Sequence, residues 1–206
     1  LKKHIITLVL TAAMAAALPA FADVSHLGFT INDQLLSAAD KARLEPDMSK
    51  SLREQIDIID AARLPADVLA GLKAITVVLD PALTSQPGIF TGRNGGEVRL
   101  QPAIFTRKRP VLLHELLHAY HFYTLTLQNK DVTAAFEMAR NDPDFAKFRR
   151  AHFLQNAKEF FAVTASIYLS GDVQQPPFTC AAFAGKYPAY MQFLEGQFGK
   201  RPCQSM

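Results

Sequence analysis

Between Pro110 and Gln128 the chain reads as one helix that is apolar on nearly every side, with Leu112, Leu113, Leu116, Leu117, Ala119, Phe122 and Leu125 leaving no broad polar face. Such a helix is stable only when other elements cover it all round, so the rest of the chain must supply that cover. The same stretch carries His114-Glu115-Leu116-Leu117-His118, the pattern H-E-x-x-H. Residues four apart on a helix differ by about 40° in direction and about 6 Å in height, so the two imidazoles project together and can hold one small ion. A buried glutamate between two buried histidines needs a counter-charge, which a metal dication provides. Zinc accepts neutral imidazole and lowers the pKa of water to about 7, and Glu115 beside that water can take its proton as it attacks a carbonyl.

A catalytic zinc needs a third protein ligand and one open position. The candidates are His121, Glu137, Asp142, His152 and Glu159. His121 lies on the rod that already carries His114 and His118, and three ligands along one straight helix do not make a tetrahedral corner; a place beside the site suits it better. Glu137 and Glu159 both interrupt apolar helical stretches, and periodicity does not separate them.

The remaining pattern supplies a few strands early and helices late. Met48, Leu52, Ile56 and Ile59 recur at helical steps, predicting an amphipathic helix over 48–61, and Pro65 opens a shorter one through Leu72. The β-branched run 75–79 ends at Asp80-Pro81 and predicts a buried strand. Phe90-Thr91 and Val98-Arg99-Leu100 flank Gly92-Arg93-Asn94-Gly95-Gly96, which predicts a hairpin. Asp131 is expected to cap a helix over 132–140, and further helices are expected over 156–169, closed by Gly171, and over 187–198. Residues 23–46 are irregular, with at most a short helix near 34–41. Strands first and helices after indicate an α+β fold rather than alternating βαβ.

Lys2-Lys3, an apolar run over 5–18 and the small-residue triplet Ala20-Phe21-Ala22 have the order of a secretory signal peptide over residues 1–22. Fourteen apolar residues are too few to cross a bilayer core. The product is expected to be exported, periplasmic or secreted, with no membrane attachment after cleavage. Cys180 and Cys203 would then meet an oxidising compartment and are expected to form a disulfide that ties down the C-terminal segment. The 206 residues carry 22 Lys and Arg against 19 Asp and Glu, and two of the cations fall in the signal segment, so the remainder is nearly neutral. That balance gives no electrostatic case for nucleic acid.

H-E-L-L-H-A-Y, followed later by Asn156-Ala157-Lys158-Glu159-Phe160-Phe161-Ala162, resembles the gluzincin metallopeptidases, and within them the group of the anthrax lethal factor catalytic domain and the secreted Pro-Pro endopeptidases. Only these two short motifs carry the resemblance. It implies a small zincin-like domain over 75–206, a short mixed sheet with a hairpin followed by the active-site helix and C-terminal helices, preceded by an N-terminal helical segment over 23–74. It implies one zinc per chain, held by His114, His118 and Glu159, with Glu115 as general base and a peptide or protein as substrate. Where the family places an oxyanion-stabilising tyrosine seven residues before the ligand glutamate, this chain has His152, whose ring N–H can do the same work; Tyr120, Tyr123 and Tyr168 are substitutes. The resemblance also implies that an edge strand beside the motif helix pairs with the substrate, and 97–101 is the candidate. A monomer is expected. The competing expectation is a protein that keeps zinc but binds a peptide or partner without cutting it, against which stands an intact Glu115.

Overall fold

The computed structural model describes residues 23–44, 46–93, 95–171 and 179–200. The signal-peptide expectation and Cys203, with its expected pairing to Cys180, lie outside the described residues. In chain order the elements are β1 (Val24–His26), β2 (Phe29–Asn32), α1 (Ala38–Leu44), α2 (Asp47–Ala61), α3 (Ala66–Lys73), β3 (Thr76–Leu79), β4 (Gly88–Thr91), β5 (Glu97–Leu100), α4 (Val111–Tyr120), α5 (Lys130–Asn141), α6 (Ala157–Ser170), α7 (Cys180–Lys186) and α8 (Pro188–Phe198). The chain is an α+β fold, a mixed five-stranded sheet with helices concentrated after it.

Strand order in the sheet is β1-β2-β3-β5-β4. β2, β3 and β5 run parallel to their neighbours in that series, while the two outer pairs, β1 with β2 and β5 with β4, are antiparallel hairpins. The expected hairpin over 90–100 is therefore present, and Gly95 and Gly96 both take positive φ in its turn. Residues 23–46, expected to be irregular with at most a short helix, open with a hairpin, and β2 pairs with β3, so the N-terminal segment and the rest of the chain share one sheet. The turn between β1 and β2 is Leu27-Gly28 with φ of 49° and 81°. A leucine rarely adopts that conformation, so no Asn-Gly-type signal marked the turn.

α4 is the covered rod that its composition demands. It packs against β4 on the sheet, against α6, and against α2 and α3. Leu112, Leu113, Leu116 and Leu117 are fully buried, as are Phe160 and Phe161 of α6. The α-helical part ends at Tyr120, earlier than the expected 128, because residues His121–Leu125 form a π-helical turn closed by Thr126 at φ 65°. That wide turn lays Phe122 and Tyr123 over the β4–β5 hairpin, where a Cβ on Gly92 would come within 2.7 Å of the Phe122 ring, and one on Gly96 would collide with the Tyr123 hydroxyl. Glycine is needed at both places by close approach.

The cap of α5 is Asn129 rather than Asp131: its Oδ1 accepts from the N–H groups of Asp131 and Val132, both at 3.1 Å. α6 is set by local chemistry at both ends. Asn156 Oδ1 accepts from Lys158 and Glu159 N–H at 3.0 Å each, and Gly171 closes the helix at φ 66°. Among the described residues no helix is long and apolar enough to cross a membrane.

Candidate active site

Two turns of α4 bring His114 and His118 together, Nε2 to Nε2 at 3.1 Å with the rings perpendicular. The cap at Asn156 fixes Glu159 in the first turn of α6, and the packing of α6 on α4 carries its carboxylate to them. Glu159 Oε2 stands 3.4 Å from His114 Nε2 and 3.2 Å from His118 Nε2. The three donor atoms lie within 4.8 Å of one another and form a group that could hold a metal ion. Ligands about 2.0–2.2 Å from a tetrahedral zinc are about 3.3 Å apart, so the separations suit one such cation. Glu159 Oε2 is buried and has no well-directed hydrogen bond from the three imidazoles around it, so its charge is open to a cation held between them.

The third imidazole is His152, whose Nε2 lies 2.7 Å from Glu159 Oε2. It opens a short 3-10 turn, His152–Leu154, in which buried Phe153 and Leu154 anchor the backbone while the His152 side chain stays 57% exposed. His152 is thus at the site and not on an outer face.

Electrostatics sort these groups. Burial, helped by neighbouring His118, pushes the His114 imidazole below its ordinary value against the pull of Glu159, and a neutral imidazole is the form that binds a metal. Burial also raises the Glu159 carboxyl, but the surrounding imidazoles outweigh it and hold the group well below the usual carboxylate range. His152 is raised by its contact with Glu159. Glu115, only 6% exposed, is pushed up to about 7 by burial, with the Phe90 backbone N–H and His118 pulling the other way.

Two cavities, of about 540 and about 330 Å³, meet at His114, Glu115 and His152. The larger runs past Pro87 and Gly88 toward Arg109 and Gln155; the smaller runs past Ile89 and Phe90 toward Phe122 and Leu127. Both follow β4. The expected edge strand 97–101 is a correction: β5 is enclosed between β3 and β4, because it pairs with both, and β4 forms the edge. The Gln101 N–H donates to Pro87 C=O at 2.9 Å, which makes Gly88↔Leu100 a pair without mutual hydrogen bonds. By the alternation of antiparallel ladders, the N–H and C=O of Gly88 and Phe90 then face off the sheet edge.

The other candidates are elsewhere. Glu137 is exposed on α5, and Asp142 is engaged by Lys186 and Tyr187. His121 is fully buried against Phe161, at 4.8 Å between ring centroids, with neither ring nitrogen hydrogen-bonded. Tyr120 donates to Gln197 and Tyr168 to the Gly199 carbonyl, and Tyr123 lies on the hairpin. Gly88 was missed in the sequence: a Cβ there would meet Glu115 Cγ at 2.7 Å. No signal marked it, since the glycine and the glutamate it accommodates are distant in the chain.

No family model matches this chain, and no curated protein matches it. Among solved structures it is similar to a Pro-Pro endopeptidase from Paenibacillus alvei, at 16% identity and a TM-score of 0.47, over 82% of this chain and 97% of that one. The chemistry open to this chain therefore rests on its own side chains.

Proposed function

We propose that this protein is an exported metallopeptidase with one zinc per chain, held by His114, His118 and Glu159, in keeping with the gluzincin-like motifs. The observation that carries the reading is the convergence of those three donors, with a buried carboxylate and an open sheet edge in the same cleft. A zinc ion held there would supply a Lewis acid that makes water a nucleophile near neutral pH and polarises a carbonyl. An extended peptide laid along β4 would use the free backbone groups of Gly88 and the Phe90 carbonyl, which holds one peptide bond over Glu115. Glu115 takes the proton from the attacking water and passes it to the departing amine. His152 aims its ring N–H at the negative charge that grows on the carbonyl oxygen, and Glu159, in contact with that ring, orients it.

The test has two stages. Purified protein should contain close to one equivalent of zinc and cleave members of a mixed peptide pool. Glu115→Gln should keep the zinc and lose the cleavage. Less than about half an equivalent, with no gain on adding zinc, would overturn the metal site; equal cleavage by parent and variant would overturn the role of Glu115. Zinc retained with no cleavage by the parent chain would leave a peptide-binding protein instead.

A further inference from the structure

The larger cavity contains a charge that the proposed chemistry does not use. Away from the central His114, Glu115 and His152, its charged lining among the described residues is Arg109 alone, with neutral Ser85, Gln86, Gln155 and Ser166 around it. Ser166 is committed, its hydroxyl donating to the Ala162 carbonyl. Arg109 is exposed and, among the described residues, has no carboxylate partner, whereas Arg99 is paired with Asp80 and Glu97, and Lys186 with Asp142 and Asp144.

Its backbone is held in place. The Arg109 carbonyl accepts from Val111 N–H at 2.8 Å and from the side-chain amide of Gln55 at 3.2 Å, and its own N–H donates to the Thr106 carbonyl at 2.9 Å. Gln55 is fully buried in α2, bonds Thr106 C=O as well, and accepts from Leu112 N–H at the start of α4. One buried amide therefore ties the backbone of Arg109 to the helix that carries His114 and His118, so its side chain springs from a fixed point on the lining of this cavity.

We infer that Arg109 is a specificity-determining residue that pairs with a carboxylate of the substrate on the Gly88 side of the scissile bond. The inference rests on the peptidase reading and names its substrate class: peptides bearing an acidic residue, or ending, on that side. A guanidinium offers a planar fork of donors that matches a carboxylate, and apart from the central Glu115 the cavity lining holds no acid that would compete for it. The smaller cavity has one cation of its own, Lys158, in its lining, so a lysine-rich peptide finds no complementary charge in either direction apart from the central groups.

The experiment measures binding and cleavage separately. Fluorescent peptides, blocked at both ends, carry Glu, Gln or Lys beside a common neutral centre; a fourth is the Gln peptide with a free C-terminal carboxylate. Affinity is read by anisotropy on the zinc-loaded Glu115→Gln chain, with and without Arg109→Gln and Arg109→Glu, and cleavage is read on the chain with Glu115 intact. The expected result is about tenfold tighter binding of a carboxylate-bearing peptide than of the blocked Gln peptide. Arg109→Gln should erase that difference and Arg109→Glu should shift preference to Lys. Preference for the Glu peptide assigns an internal acidic residue; preference for the fourth peptide alone assigns the chain end. Equal binding of all four, no binding of any, or a preference that survives Arg109→Gln overturns the inference. Failure of the peptidase reading is distinct: the binding preference is present and no peptide is cut by the intact chain.

Discussion

Gly88→Ala tests the relation between sheet edge and general base most directly. A Cβ at this position would stand 2.7 Å from Glu115 Cγ, 3.0 Å from Oε1 and 3.1 Å from Cδ. Ordinary carbon contacts are about 3.5–4.0 Å, so one of the two must shift by about 1 Å. The glutamate is enclosed on a helix whose leucines are fully buried, and β4 is held to β5 along its length, so neither gives freely. Overpacking of this kind costs about 1–3 kcal/mol of stability, and a misplacement of about 1 Å at a reacting group lowers turnover about 100-fold. The three atoms nearest the added methyl all belong to Glu115 and none to a proposed ligand. The expected outcome is a chain with its full zinc content, a lowered melting temperature, and kcat reduced about 100-fold on a pool peptide. The control is Gly71→Ala, where no atom lies within 4 Å of the new Cβ in α3; it should raise stability by about 0.5–1 kcal/mol and leave cleavage alone. Gly88→Ala with parental kcat and melting temperature would refute the reasoning.

Glu159→Ala should lose zinc to a competing chelator at concentrations the parent resists, while Glu137→Ala, on an exposed face of α5, should behave as the parent; the opposite pattern would transfer the ligand role. His152→Ala should keep its zinc and lose about 100-fold in kcat, measured by single-turnover cleavage, and an undiminished rate would remove it from the mechanism. His121→Leu removes a buried imidazole with no hydrogen bond, so urea unfolding at pH 7 should show the variant at least as stable as the parent, by up to about 1–3 kcal/mol. Burial, with His118 and Lys158 as the charges facing it, lowers the His121 pKa to about 4. The unfolded chain therefore binds the proton more readily, and the parent alone loses stability as pH falls from about 6.5 toward 4. The gap between variant and parent should widen by about 2 kcal/mol between pH 7 and pH 5, and a constant gap would show that His121 has a partner.

Which parts of the molecule were legible follows from the range of the interactions that make them. The steps of four and three in 48–61, the Gly171 that ends α6, and the glycines of the β4–β5 turn each act over one or two turns of chain, and each element is present. The β1–β2 hairpin was not legible, since its turn uses a leucine at positive φ that only pairing with the rest of the sheet sustains. The break of α4 into a π-helical turn was hidden too, because it is set by the fit of Phe122 and Tyr123 over Gly92 and Gly96, which belong to another element.

By itself the sequence determined that two imidazoles and a carboxylate share one apolar helix, because the helical repeat places residues four apart on one face whatever surrounds them. Periodicity left Glu137 and Glu159 open and the motif resemblance implied Glu159; tertiary structure brought that carboxylate to the imidazoles, and it alone decided that β4 and not β5 is the open edge and that Gln55 seats Arg109 beside the cleft. Each of these joins groups far apart in the chain, and burial of α4 on all sides is the common constraint that brings them to one place.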